Sequence, residues 1–448
     1  MVRKFRVLIF GIPILAWAQN PIVPNKGLND PHIHIFNDTA YVYASHDKSP
    51  QNIQFIMEDW WVWSSPDLVN WTQRSVLKPK ETYIGKPFQG CWATDMAERD
   101  GKYYWYFSER NHQTGVVVGD TPIGPWKDML NKPLLSQDLT PTHEYDMSVV
   151  EDKGEYYIIF GVWDYYIAKL NKDMLSLAEK PRKININNPR GPYNQDGLNK
   201  EQPTDDKAEL HKYNGKYYLS WGCFYAVSDS LYGPYDYMDT IIKKESFAPG
   251  YDAPTWPNGY LQGRHGNFFE WHNQWYFTYC DISQTGNRYF RDAFISYVHY
   301  RDDGTIAPIR IDGVGVGRYE AEKGKIEAED YFMSKGFEKG HDEDDNFYIC
   351  SNEKTNMVYF PNIEGLKNFN RLAFMVSAEQ NAYHARIIVS RDAEGSEVLA
   401  EKPFELTTEE NKQEISLKIQ GLKERENLYI TLETPEGKIK MDSFSFSK

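Results

Sequence analysis

Residues 29–45 read NDPHIHIFNDTAYVYAS, a short alternating strand, a polar pair at Asn37-Asp38, and a second strand rich in aromatics. The same plan recurs four times. The copies are CWATDMAERDGKYYWYFS (91–108), EYDMSVVEDKGEYYIIFG (144–161), DDKAELHKYNGKYYLSWG (205–222) and GRHGNFFEWHNQWYFTYC (263–280). Pairs such as Asp100-Gly101 and Asn214-Gly215 stand where a hairpin must turn. A spacing of roughly 40 to 60 residues suits one four-stranded propeller blade per copy. The expected fold is therefore all-β: a five-bladed β-propeller over residues 19–315, with the first strand of each blade lining a central channel.

The flanks extend this reading. Residues 185–204 are rich in Asn, Pro, Gly and Gln and read as a loop of the kind that shapes a substrate pocket. Composition changes near Val314, and all 13 Trp lie before it. Short alternating runs beyond that point predict a second all-β domain, a β-sandwich over 326–448, joined by a linker at 316–325. At the other end, Arg3, Lys4 and Arg6 precede an apolar run and an Ala16-Trp17-Ala18 cleavage pattern. Residues 1–18 thus read as a signal peptide, which predicts an exported protein, periplasmic or extracellular. No other stretch has the length of a transmembrane segment.

The net charge of -14 argues against a nucleic-acid partner, which needs a basic footprint. The charge does not favour an acidic polymer as substrate, although a local basic patch could still accept one. Cys91, Cys223, Cys280 and Cys350 fit neither a zinc pattern nor a dense disulfide framework. Three of them fall in expected blade strands and read as buried thiols.

Aligning the five copies on their turns (Asn37, Asp100, Lys153, Asn214, His272) puts Asp30, Ala93, Asp146, Lys207 and His265 seven residues upstream. Equal spacing implies equal depth, so Asp30, Asp146 and His265 should meet in the channel. The fourth copy adds Asp206 one position outward and Glu209 two positions inward. A carboxylate that activates water and a carboxylic acid that protonates a leaving oxygen are the equipment of glycoside hydrolysis. A neighbouring acid keeps the proton donor protonated, because adjacent like charges resist ionising together.

Several motifs in residues 20–316 resemble glycoside hydrolase family 43. Asn29-Asp30-Pro31-His32 looks like the family's first-blade motif, Cys91-Trp92-Ala93-Thr94-Asp95 like its second, and Asp146-Met147-Ser148 like its third. Met147 stands where the family has Pro. The resemblance implies a five-bladed propeller, inverting hydrolysis with no cofactor in the chemistry, Asp30 as general base and Asp146 as the residue that tunes the acid. For the general acid it leaves two candidates. Asp206 has the matching place, one methylene short of the family's Glu, whereas Glu209 has the matching side chain three residues inward. His265 matches a channel His that lies near a metal ion or ordered water. Arg264 either binds substrate or forms a salt bridge, and Trp92 is either a sugar platform or packing between blades. Residues 326–330 (IEAED) and 441–444 (MDSF) resemble family 6 carbohydrate-binding modules, which implies Glu327, Glu329 and Asp442 as ligands of a structural calcium. Without Trp, that domain is either a sugar binder or a packing domain.

The expected function is an exported glycosidase acting on a β-xyloside, α-L-arabinofuranoside or β-galactoside of plant-type glycans. The alternatives are a glycan-binding propeller without turnover and a retaining enzyme with Asp30 as nucleophile.

Overall fold

The computed structural model describes residues 19–251, 256–408 and 412–448. The expected signal peptide lies outside these. The chain is all-β, and the only helical elements among the described residues are four turns of 3-10 helix, three residues each.

Five sheets follow one another along the chain. Each opens with an inner hairpin closed by a two-residue turn. Phe36 pairs with Thr39, Arg99 with Lys102, Asp152 with Glu155, Tyr213 with Lys216 and Trp271 with Gln274. Both turn residues have positive φ in every copy, from Asn37 (49°) and Asp38 (56°) to His272 (55°) and Asn273 (65°). That backbone matches the twist of the flanking strands and explains the recurring Asn, Asp and Gly. The five turn positions expected from the sequence are all borne out.

The inner strands are Leu28–Phe36, Cys91–Arg99, Ser148–Asp152, Ala208–Tyr213 and Gly266–Trp271. Each contacts the next, and the fifth contacts the first, so the five sheets close a ring. Aromatic and aliphatic side chains fill the wedges between sheets, for example Tyr43, Trp60, Trp105 and Phe107 between the first and second. The fifth sheet has three strands, and the start of the described chain completes it. Ile22 donates its amide to Ala293 O (2.9 Å), while the Asn20 side chain bonds both the amide and the carbonyl of Ile295 (2.9 Å each).

Residues beyond 318 form two six-stranded sheets. Val358, Ile387 and Ile430 from one sheet and Phe374, Met441 and Phe444 from the other belong to one buried cluster. The stretch expected as a linker carries a strand, Tyr319–Glu320, paired with Ile363 and Glu364. Tyr319 also ties the units together, meeting the Tyr297 hydroxyl (2.9 Å) and donating to Asp330 O (2.6 Å). All four thiols are free. Cys223, expected in a strand, sits in the turn between Lys216–Trp221 and Phe224–Ser228, because the hairpin turns at Gly222, whose φ is 63°.

Candidate active site

The aligned positions are where the inner strands depart from regular pairing. Asp30 (φ 46°), Asp146 (φ 52°) and Lys207 (φ 46°) are all left-handed. Ala93 lies in a register shift between Trp92 and Thr94, and His265 immediately precedes its strand. A left-handed residue turns its side chain away from the strand's alternation. That is how Asp30 and Asp146 reach the mouth of the channel instead of the wedges between sheets.

Asp30 is buried and held from four sides. Ser45 Oγ donates to Oδ2 (2.8 Å), Arg291 Nη1 to Oδ1 (3.2 Å) and His265 Nδ1 to Oδ1 (3.1 Å), and the Cys280 thiol approaches Oδ1 at 3.6 Å. Burial alone would favour the neutral acid. Arg291, His265 and Ser45 outweigh it and hold the carboxyl well below the usual range, so Asp30 is an ionised acceptor. Arg291 is itself fixed by Asp47, whose two oxygens take Nε (3.0 Å) and Nη2 (3.1 Å).

His265 bridges to the second carboxylate. Its Nε2 lies 2.5 Å from Asp206 Oδ1, close enough for an ion contact but misaligned for a hydrogen bond. Burial opposes an imidazolium, but Asp206 and Asp30 on its two sides raise its pKa well above the usual value. Asp206 in turn is lowered, since the imidazolium overrides the burial penalty. Asp146 and Asp205 lack such a partner. Burial, followed by the charge of Asp206, pushes Asp146 up to about 8 and raises Asp205 as well. Asp146, Asp205 and Asp206 therefore keep a proton among them at neutral pH. Lys207, whose Nζ donates to Met147 O (3.2 Å), is the other cation acting on Asp146.

The two acid candidates separate. Asp206 joins Asp30 through His265. Glu209 faces elsewhere, accepting from Ser220 Oγ (3.0 Å) and lying 3.4 Å from His211, whose ring stacks on Phe268. Arg264 is fully buried against Asp281, donates Nε to Tyr260 O (3.0 Å), and lies over the Trp256 ring, which makes it a structural ion pair. Trp92 remains half-buried at the rim, edge-on to Tyr145 (5.7 Å) and Phe55 (6.4 Å).

Two groups of donors among the described residues come within 4.8 Å of one another: Asp205, Asp206 and His265, and His32, His34 and Asp95. In the first, Asp205 Oδ2 is buried without a partner, but His265 as an imidazolium has no lone pair, so the set fits a cation only with a neutral imidazole. The second is largely paired within itself, with His32 Nε2 buried and unpartnered. Asp95 Oδ1 takes His32 Nδ1 and His34 Nε2 (2.7 Å each), and Oδ2 takes the Val149 amide (2.6 Å). Glu327, Glu329 and Asp442 are not among these groups. Glu327 pairs with Lys325 (2.8 Å) and Asp442 with Lys412 (2.6 Å).

Sequence reasoning missed Asp205, Arg291 and Asp47. The Asp205-Asp206 doublet was a visible signal for the first. Arg291 occupies no repeated position, and its partner Asp47 lies in a different sheet.

Comparison with known proteins shows the family. The pattern of glycosyl hydrolases family 43 matches residues 18–306, and the chain belongs to that family. It is a glycoside hydrolase. A xylosidase/arabinosidase of Bacteroides ovatus is 27% identical over 338 residues, covering 64% of this chain and 96% of that protein. An arabinoxylan arabinofuranohydrolase of Paenibacillus polymyxa is 25% identical over 360 residues, covering 67% and 53%. A family 43 arabinoxylan arabinofuranohydrolase from Bacillus subtilis, solved with cellotetraose, shares the fold over 96% of this chain and 97% of its own (TM-score 0.53, 20% identity). A family 43 enzyme from Xanthomonas citri complexed with xylotriose matches 66% of this chain and 93% of its own (TM-score 0.53, 25% identity).

Proposed function

We propose that this protein is an exported glycosidase that releases a pentose or related unit, as a β-xyloside, α-L-arabinofuranoside or β-galactoside, from plant-type glycans by single-step inversion. The observation that carries the mechanism is the imidazolium of His265 with Asp30 on one nitrogen and Asp206 on the other. Those two contacts limit the separation of the carboxylate oxygens to at most about 8 Å, compatible with the roughly 6.5–9.5 Å that leaves room for a water in inverting enzymes. Asp30, kept ionised, takes a proton from that water. Asp206 delivers a proton to the leaving oxygen, drawing on the one it shares with Asp146 and Asp205. Asp146 keeps that proton available near neutral pH. Substrate entry displaces the His265–Asp206 contact and frees Asp206 to carry it. A channel cation at Asp205 and His265 would require a neutral imidazole, so it would replace the imidazolium bridge and offset carboxylate charge in its stead. The relatives named as xylosidase/arabinosidase support the choice of pentosides.

We read the ring of five sheets as the catalytic propeller (19–315) and the two later sheets as a β-sandwich resembling a family 6 carbohydrate-binding module. The sandwich packs on the propeller through Asp330, which meets His299 Nε2 and Arg310 Nη1 at 3.1 Å each. A structural calcium at Glu327, Glu329 and Asp442 would require Lys325 and Lys412 to release their partners.

The test is a screen of purified protein on aryl β-D-xyloside, α-L-arabinofuranoside and β-D-galactoside, with Asp30→Asn as control. Turnover of one substrate that disappears in the variant is expected. Undiminished turnover in Asp30→Asn would overturn the mechanism. Glycan binding without turnover in the wild type would replace it with a binding function.

A further inference from the structure

Arg291 is shared unequally between two carboxylates. Asp47 takes its fork, with Nε on Oδ2 (3.0 Å) and Nη2 on Oδ1 (3.1 Å), and Asp47 Oδ2 also accepts the Arg291 amide (2.9 Å). Asp30 takes one contact, Nη1 on Oδ1 at 3.2 Å, longer than the roughly 2.7–2.9 Å of a strong charge-assisted bond. Burial opposes the guanidinium, but Asp30 and Asp47 raise its pKa well above the usual value, so it stays charged. The Phe55 ring centroid lies 5.0 Å from its central carbon, and Met57 Sδ lies 3.9 Å from Nη2.

The two oxygens of Asp30 are thereby made different. Oδ1 receives Arg291, His265 Nδ1 (3.1 Å) and the Cys280 thiol (3.6 Å). Among the described residues, Oδ2 receives Ser45 Oγ alone (2.8 Å). A carboxylate oxygen has two lone pairs, so Oδ1 is filled and Oδ2 keeps one open. A base needs such an open pair to take a proton from water.

The backbone delivers this division. Ser45 and Asp47 stand on one strand, Thr39–Asp47, whose register against Met57–Ser65 shifts between them. Asp47 N donates to Gly27 O (2.8 Å), and a Cβ at Gly27 would collide with Asp47 O, so only glycine lets the two segments approach. Without Asp47, the freed fork would close on both oxygens of Asp30, the geometry that guanidinium and carboxylate prefer. The open oxygen would be covered and the base weakened.

We propose that Asp47 is a positioning residue for hydrolysis: it holds the fork of Arg291 off Asp30 Oδ2 and so keeps that oxygen open to the attacking water. This rests on Asp30 as the base, as proposed above. Oδ2 takes one proton of the water while the water oxygen bonds to the anomeric carbon, and the glycosidic bond breaks toward the leaving oxygen that the acid protonates.

The test is a double-mutant cycle on the full chain, by steady-state kinetics with the substrate found in the screen. Asp47→Asn sets an amide against the guanidinium and releases the fork. It should lower kcat by about 30-fold, part of the roughly 10²–10⁴-fold that a general base supplies, with KM nearly unchanged. In an Arg291→Gln background the same change should leave kcat nearly unaltered, because no fork is left to restrain. Asp47→Glu, which keeps the charge and both acceptors, should recover most of the lost rate. Asp47→Ser admits a water to the freed guanidinium and carries the same expectation should Asp47→Asn not fold. A folded Asp47→Asn or Asp47→Ser with kcat near wild type, a change confined to KM, or an equal loss of kcat in both Arg291 backgrounds would overturn the assignment. Asp30→Asn separates the two readings. If it abolishes turnover while Asp47→Asn does not reduce it, the role of Asp47 fails alone; if it retains turnover, the base assignment fails.

Discussion

Two of the clusters of buried ionisable groups among the described residues differ in their balance of charge. At the junction of the ring with the later sheets, Asp330 is neutralised by Arg310 and His299, which hold its carboxyl at about 2 against the burial penalty. His299 is itself pushed down to about 4, mainly by burial and then by Lys339. At the channel mouth, carboxylates outnumber their cations. Asp146 is pushed up to about 8, and Asp205 Oδ2 has no partner. The junction also has a raised acid, Glu329, pushed up to about 9 by burial and then by Asp330 and with Oε2 unpartnered, but there Arg310 and Lys339 equal the two carboxyls in number. The channel leaves a proton and an acceptor unspent, the state a substrate can use.

The sharpest way to break this comparison is to neutralise one carboxylate in each cluster. Asp30→Asn should lower kcat by about 10²–10⁴-fold, the range of a lost general base, with the fold intact by circular dichroism. Asp330→Asn should instead cost about 1 kcal/mol of stability by weakening the contacts to His299 and Arg310, with kcat within a few-fold, as denaturant titration and initial rates would show. Reversed outcomes would exchange the roles of the two clusters.

The acid assignment is next in size. Asp206→Asn should lower kcat by about 10²-fold on a poor leaving group and far less on a dinitrophenyl glycoside, which departs without protonation. Glu209→Gln should change neither rate by more than a few-fold. Equal losses on both leaving groups would contradict the role of Asp206.

The shared proton gives two smaller effects. Activity should fall as pH rises through about 8, where Asp146 loses its proton. The folded pKa of Asp146 lies above its ordinary value, so its contribution to stability is complete below about 4 and is lost as pH rises through about 8. Asp146→Asn should therefore gain melting temperature relative to the wild type as pH goes from 5 to 8. A constant difference across that range would mean that Asp146 is ionised throughout.

How much of this was legible in the sequence depends on how local each cause is. The five hairpin turns were readable because two positive-φ residues need Asn, Asp or Gly beside one another. Counting back from those turns then located Asp30, Asp146 and His265. The choice between Asp206 and Glu209 was not readable, because it turns on the left-handed Lys207. That residue breaks strand alternation, so Asp206 faces His265 while Glu209 faces Ser220. Arg264 looked like a substrate ligand by its place beside His265. Its partner Asp281 lies on the paired strand Gln274–Asp281, a pairing that spacing alone does not reveal. The thorough pairing of Arg291 with Asp47 was equally hidden, since 244 residues separate them.

The most direct measurement is proton NMR of the first sugar released from the substrate found in the screen, recorded before mutarotation. Water activated by Asp30 on the face opposite the leaving group predicts a product of inverted anomeric configuration. A retained configuration would contradict the account, because it would make Asp30 a nucleophile rather than a base.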